Sequence, residues 1–289
     1  MTHGSGLRRA ERALALIGVP LLLILMVAAI SWEIGRMDRP KPRQVAVLEG
    51  RFSPTFLTVA PGTPVRWTND TSSPFTIGTS PRLAPAAVKF RVDPGGSAAF
   101  TFHRPGLYVL YAKQLTSWAT VWHGSPINAH TQLPKPSKSS PIYPSPMVEF
   151  VAVTGYDASA GRSLTVGQPW DYYAPAFATL TQGGWLTYYN VDNVPHTACT
   201  VAGLAPQGFC LWLGGYTHSQ VQLDQPGLYV IYGPDVTRWN YKTDLPTPLK
   251  STDVYPEAMF GVVYVTPGPA PLPRRAGLRH TRVPSNVLN

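Results

Sequence analysis

Cysteine is nearly missing from this chain, acids are few, and charge of either sign is scarce. Its 289 residues hold two Cys, 15 Asp and Glu together, and only 13% charged residues. Two cysteines exclude a disulfide-rich scaffold and a four-cysteine metal site. The acids, among them Asp70, Asp93, Asp192, Asp224 and Asp235, are scattered, and no acid–base pair, glycine-rich phosphate loop or nucleophile elbow occurs. The chain therefore reads as a non-enzyme without a small-molecule substrate. His123 and His130, in WHGSPINAH, lack a neighbouring carboxylate or thiol and read as solvated loop histidines. The net charge of +9 is spread out and accompanies no nucleic-acid motif, so a lipid bilayer surface or an acidic partner is the expected counterpart, and nucleic acid is not.

Long apolar runs are absent with one exception. Residues 13–32 read ALALIGVPLLLILMVAAISW without a charge. About 20 residues of helix span roughly 30 Å, the hydrocarbon thickness of a bilayer. The run is long for a cleaved signal peptide, the alternative that Val27 and Ala29 suggest, and a retained single-pass anchor is expected. Arg8, Arg9 and Arg12 precede it while Arg36, Arg39, Lys41 and Arg43 follow, so the charge rule hardly orients it.

What is plentiful is proline (31), glycine (25) and aromatic residues (8 Trp, 14 Tyr, 10 Phe), a composition for short strands, many turns and a large core. The chain also repeats itself. Pro54, Phe56, Gly62, Asn69, Pro74, Thr76, Pro105, Gly106, Leu107, Tyr108, Val109, Tyr111, Thr116 and Trp118 recur 121 positions later, from Pro175 to Trp239. Lys138, Ser139, Tyr143, Pro144 and Met147 recur 112 positions later as Lys250, Ser251, Tyr255, Pro256 and Met259, so the first copy carries a loop nine residues longer. This is a duplicated domain. The expected organisation is a cytoplasmic segment 1–12, a transmembrane helix 13–32, a linker 33–43, domains 44–153 and 154–266, and a tail 267–289.

Cys199 and Cys210 both lie in a polar, Gly-containing stretch of the second repeat that could form a hairpin. A disulfide in an oxidising compartment is the main reading, and two free thiols in a turn the alternative.

VAVLEGRFSPTFLTVAPGTPVRWTND, then SAAFTF, RPGLYVLY and MVEFVAV, show the period-two alternation of half-buried antiparallel strands. The order of these pieces resembles the cupredoxin family: an F-x-P-x-x-L-T-V opening, a P-G-x-Y-x-x-Y strand and a last strand after a Met. The resemblance covers about residues 44–153 and 163–266. It implies an all-β chain of two tandem Greek-key sandwiches behind the helix, with the body in the periplasm or another extracytoplasmic space and the anchor in the inner (cytoplasmic) membrane. It also implies a copper site made of a His after the Asn turn, a Cys and a His after the P-G-x-Y strand, and a Met. His196 fills the first position in the second repeat, and Phe75 stands there in the first. The Cys position holds Gly233 and Ala112, while the Met survives as Met259 and Met147. Without the thiolate no cofactor is expected, and His196 reads as a hydrogen-bonded relic. The alternative is a copper-binding or electron-transfer protein using His196 and Met259 with His218 or Cys199.

Two long loops, about 112–146 and 233–258, replace the compact copper loop and carry Trp118, Trp122, Trp239, Tyr241, Tyr143 and Tyr255 among prolines. Aromatics on stiff loops make low-entropy interface anchors. The other reading is that they cap their own sandwich. The tail adds Arg274, Arg275, Arg279 and Arg282 with no acid. Partner contacts are thus expected at Trp118, Trp122, Trp239, Tyr241 and the four tail arginines. The function expected is that of an accessory subunit on the extracytoplasmic face of a multisubunit membrane energy-transducing complex. By family analogy the complex is a photosynthetic reaction centre with its antenna, or a respiratory oxidase.

Overall fold

The alternation and the Pro-Gly turns call for short strands, and strands are the only regular elements among the described residues. The structure is a computed structural model describing residues 43–80, 83–122, 130–169, 171–250, 255–256 and 258–269, all within one compact unit. The expected segment 1–12, transmembrane helix 13–32, most of the linker, His123 and Arg274, Arg275, Arg279 and Arg282 lie outside the described residues.

The first repeat forms β1 (Arg43–Leu48), β2 (Arg51–Ser53), β3 (Phe56–Val59), β4 (Pro64–Asn69), β5 (Phe75–Thr79), β6 (Lys89–Val92), β7 (Ser97–Thr101), β8 (Gly106–Ala112), β9 (Thr116–Trp122), β10 (His130–Pro136) and β11 (Val148–Val153). Its sheets run β2-β1-β4-β7 and β3-β11-β8-β5-β6, with β9 and β10 as a separate hairpin. The second repeat forms β12 (Gly161–Gln168), β13 (Phe177–Asn190), β14 (His196–Thr200), β15 (Cys210–Leu213), β16 (His218–Leu223), β17 (Gly227–Tyr232), β18 (Thr237–Asn240), β19 (Leu245–Pro248) and β20 (Phe260–Thr266). Here the two sheets are joined in the order β12-β13-β20-β17-β14-β15, with β16 on β13, because the long β13 pairs β20 along its first half and β12 and β16 along its second. The change of partner falls at Gly183 and Gly184. Gly183 has φ +76°, open to glycine at no steric cost, and its counterpart Gly62 has φ +81°.

Each repeat has its own core. Trp67, Phe102, Tyr108 and Ile77 fill the first, and Tyr173, Tyr188, Tyr229 and Ile231 fill the second. A third core lies between them, which explains why Val148–Val153 and Phe260–Thr266 are buried at every position. Met147, Val151 and Val153 turn inward, while Val148, Phe150 and Ala152 turn to the other repeat; Phe260, Val262 and Tyr264 answer them from β20. Phe150 stacks on Phe56 at 5.2 Å and meets Phe177 at 5.4 Å. Trp118 lies edge-on to Phe177 at 6.0 Å, and its counterpart Trp239 meets Phe56, the counterpart of Phe177, at 6.2 Å. Such reciprocal contacts are those of a two-fold interface inside one chain. Trp239 is buried and Trp118 half-buried, each against an aromatic ring of the other repeat. The junction removes their apolar area from water, a gain of about 1.5–3 kcal/mol for each large side chain fully buried.

Candidate functional site

Counterpart residues build the same turn at one end of both sandwiches. Asn69, buried at the end of β4, donates through Nδ2 to Ser73 O (2.8 Å) and Val92 O (3.1 Å) and accepts from Thr71 N. Asn190, at the end of β13, donates to Val194 O (2.6 Å) and Leu213 O (3.2 Å) and accepts from Asp192 N. The turn delivers Phe75 to the first core and His196 to the second. Thr116 and Thr237 then hold the backbone N–H of Met147 and Met259 through their hydroxyls, at 2.8 and 2.9 Å.

A second shared device pins the strand after this turn. In the first repeat Gln114 accepts from Thr76 N (3.0 Å) and donates to its Oγ1. In the second, Asp235 occupies the Gln114 position and accepts from Thr197 Oγ1 at 2.7 Å. Asp235 reaches further, placing Oδ2 3.0 Å from His196 Nδ1, while Asp192 Oδ2 stands 3.2 Å from His196 Nε2. The imidazole, 4% exposed, therefore has a carboxylate on each nitrogen. Both contacts can be hydrogen bonds only when both nitrogens carry a proton. Burial works against that charged form, but the bonds and charges of Asp235 and Asp192 outweigh it, so the His196 pKa lies above its ordinary value. Burial likewise opposes ionised Asp235, and His196 and Thr197 overcome it, leaving its pKa below the usual carboxylate value.

The remaining positions that resemble a copper set are also occupied. Met259 is buried, its sulfur 3.9 Å from Gln168 Nε2, and any side chain at Gly233 would collide with that sulfur. His218 is exposed on β16 and stacks on Tyr189, whereas His196 and Met259 are both buried. Among the described residues no group of three His, Cys, Asp or Glu is placed to hold a metal ion. Residues with both imidazole nitrogens taken and no thiolate do not fit a copper centre. Cys199 and Cys210 face each other directly in the β14–β15 register and are joined as a disulfide, with no thiol left for a ligand.

The first repeat has a buried acid that no sequence motif announces. Glu149, on β11 and fully buried, accepts from Trp67 Nε1 at 2.7 Å, and its other oxygen has no partner among the described residues. Burial drives its pKa up to about 8, against the pull of the Trp67 hydrogen bond. The counterpart in the second repeat is Gly261, whose missing side chain makes room for the Tyr173 ring against Tyr188.

Of the expected partner contacts, Tyr241 is exposed on the β18–β19 hairpin, and exposed Val194, Tyr216 and Trp212 lie close to the Asn190 turn. Sequence reading passed over these three because each falls in a turn or on a short strand that carries no motif. A groove of about 730 Å³ lies between the repeats at the other end, lined by Pro85, Arg104, Pro105, Tyr156, Asp157 and Phe177 among others.

No protein-family model matches the chain, and no curated protein matches it. Among solved structures it is similar to amicyanin from Paracoccus versutus, at 16% identity over 40% of this chain and 86% of that one, with a TM-score of 0.27. A reduced amicyanin variant gives 16% identity over 40% and 83% with a TM-score of 0.27, and an oxidised variant 16% over 39% and 81% with 0.26. The likeness concerns the fold and says nothing of this chain's ligand or activity.

Proposed function

We propose that this chain is a non-catalytic, membrane-anchored structural subunit. In this reading its paired sandwiches brace the extracytoplasmic face of a multisubunit membrane complex of the energy-transducing kind, a photosynthetic reaction centre with its antenna or a respiratory oxidase. The carrying observation is the Asp192–His196–Asp235 clamp: the position that resembles a metal ligand holds an imidazole between two carboxylates and ties a long loop to the Asn190 turn. Such a clamp stiffens the loop end instead of binding a ligand. Stiffness favours the role, because a preorganised surface loses little entropy on docking. The exposed aromatic groups Tyr216, Trp212 and Tyr241 are of the kind that anchor protein interfaces.

Purification from native membranes in mild detergent tests the reading. The chain is expected to co-migrate with integral membrane subunits, and to leave them when Trp212 and Tyr216 are both replaced by Ser. A chain that purifies alone and monomeric overturns it. Copper titration of the full chain is the second arm: stoichiometric binding that is lost in His196→Ala would favour the copper or electron-transfer alternative with Met259.

A further inference from the structure

We infer that the outer face of the β12–β13–β16 sheet binds an extended, uncharged polysaccharide chain, a role separate from the structural one proposed above.

The pairing register lays this face out as three short rows. Along β13 the side chains alternate, so Leu186 and Tyr188 enter the second core while Trp185, Thr187 and Tyr189 turn outward. Ser163, Thr165 and Gly167 of β12 stand opposite them on one side, and Gln222, Gln220 and His218 of β16 on the other. Trp185 is 42% exposed, and the Tyr189 and His218 rings lie with their planes at 13° and centroids 6.4 Å apart. Trp185 and Tyr189 are four residues apart on one strand, about 13–14 Å, and the three strands together span about 10 Å. The face therefore has an aromatic group at each end, with hydroxyls and amides between and beside them.

The composition of the face decides what it fits. None of these residues is Lys, Arg, Asp or Glu, in a chain of net charge +9, and none is aliphatic. Charge begins only at the border, where Arg162 precedes Ser163 and Asp224 follows Leu223. A nucleic acid or an anionic headgroup would need cations here. A protein partner would need an apolar centre shielded from water, whereas Thr165, Thr187 and Gln220 hold the middle row. An uncharged carbohydrate suits both parts of the face. The C–H side of a pyranose ring packs on the negatively polarised face of an indole or phenol ring, and its hydroxyls donate to and accept from Gln, Ser and Thr. The distance between the aromatic groups calls for several sugar rings in line, and hence an extended chain.

The first repeat shows that the fold does not require this surface. Its β1, β4 and β7 pair in the same register, yet Pro64, Arg66 and Thr68 stand where β13 turns its residues outward, and Thr101, Ala99 and Ser97 stand in place of those of β16. Arg66 occupies the centre of that face and donates to Ser97 Oγ at 3.1 Å. Trp67 and its counterpart Tyr188, beneath the two faces, are both buried. The frame is common to the two copies, and the exposed layer is what differs.

Isothermal titration of the full chain, held in a polyoxyethylene detergent that carries no sugar, compares cellohexaose, an extended neutral oligosaccharide, with its coiled isomer maltohexaose. Cellohexaose is expected to bind with a Kd of about 1 mM or below, at least about fivefold tighter than maltohexaose, and without change in 0.5 M salt. Trp185→Ala should weaken binding about tenfold or more. Thr187→Arg, which installs the first repeat's residue at the centre of the face, should do the same while the thermal midpoint stays within a few degrees of the unmutated protein. No cellohexaose binding at about 10 mM, equal affinity for maltohexaose, or binding undiminished in both variants overturns the inference and leaves the structural reading standing.

Discussion

Tyr143 and Tyr255 meet edge to face across the junction, ring centroids 6.2 Å apart and planes at 88°, and they are the same residue of the two repeats. Only groups close to a two-fold axis can touch their own counterpart. The axis therefore passes between the two long loops, and the reciprocal pairs Trp118–Phe177 and Trp239–Phe56 flank it. Duplication has produced an intramolecular dimer, in which β8, β11, β17 and β20 each serve two cores.

The shared core predicts cooperative unfolding. Phe150 is fully buried and touches Phe56, Phe177 and Phe260, so Phe150→Ala removes contacts on both sides of the junction. A loss of about 3–5 kcal/mol is expected, within a single transition followed by both fluorescence and circular dichroism. Two resolved transitions in the unmutated protein would show that the repeats fold independently.

How much of this could be read from residues alone differs from feature to feature. The repeated Asn69/Asn190, Tyr108/Tyr229 and Thr116/Thr237 were visible because identity was kept wherever a buried hydrogen bond leaves no substitute; both tyrosine hydroxyls donate to a carbonyl four residues upstream. Leu83-Ala84-Pro85 also recurs as Leu204-Ala205-Pro206, and each Pro packs on the glycine that opens a later long strand, Gly106 or Gly227. The Gln114/Asp235 clamp was hidden because its residue changed while its role stayed. Glu149 was hidden for a different reason, since an acid on an apolar strand ordinarily marks an exposed position. The junction itself was beyond pattern reading. Periodicity tells which face is apolar, and not which body covers it, so Trp118 and Trp239 looked available to another protein.

Glu149 gives the protein a pH dependence of definite sign. Its folded pKa of about 8 exceeds the ordinary 4.5, so between these values the folded state holds a proton that the unfolded chain has released. Stability must then fall as pH rises through that window, by about 1.4 kcal/mol per unit and roughly 5 kcal/mol in all, and level off above it. Glu149→Gln keeps an acceptor for Trp67 and cannot ionise. Urea denaturation from pH 5 to 8 is expected to show a much shallower slope for this variant, with the largest gain over the unmutated protein at pH 8. Parallel curves would mean that Glu149 is not protonated in the fold.

The two Asn turns are expected to be equivalent in energy as they are in geometry. Asn69→Ala and Asn190→Ala each leave two carbonyls without their amide donor, at a cost of about 1–3 kcal/mol for each mutation. Denaturant midpoints should shift by similar amounts at unchanged slope. A large effect at Asn190 alone would imply that the second turn carries a load the first does not, with the His196 clamp the obvious source.

The clamp allows a sharper test, because the first repeat supplies its neutral counterpart. His196, with its pKa raised above 6.5, contributes stability that is complete below that value and is lost as pH rises through its folded pKa. Asp235, with its pKa lowered from 3.8, contributes stability present above that value and lost as pH falls through its folded pKa. The pair is therefore most favourable between about pH 3.8 and 6.5. His196→Phe should remove this dependence and leave Asp235 without its cation, at a cost of about 1–3 kcal/mol at pH 6. Adding Asp235→Gln rebuilds the Phe75–Gln114 pair in the second repeat. The double variant is expected to recover most of that loss and to show a flatter pH profile than the unmutated protein. If the second substitution instead deepens the loss, Asp235 is held by Thr197 and the loop rather than by the imidazolium, and the clamp is not the element that secures this end of the sandwich.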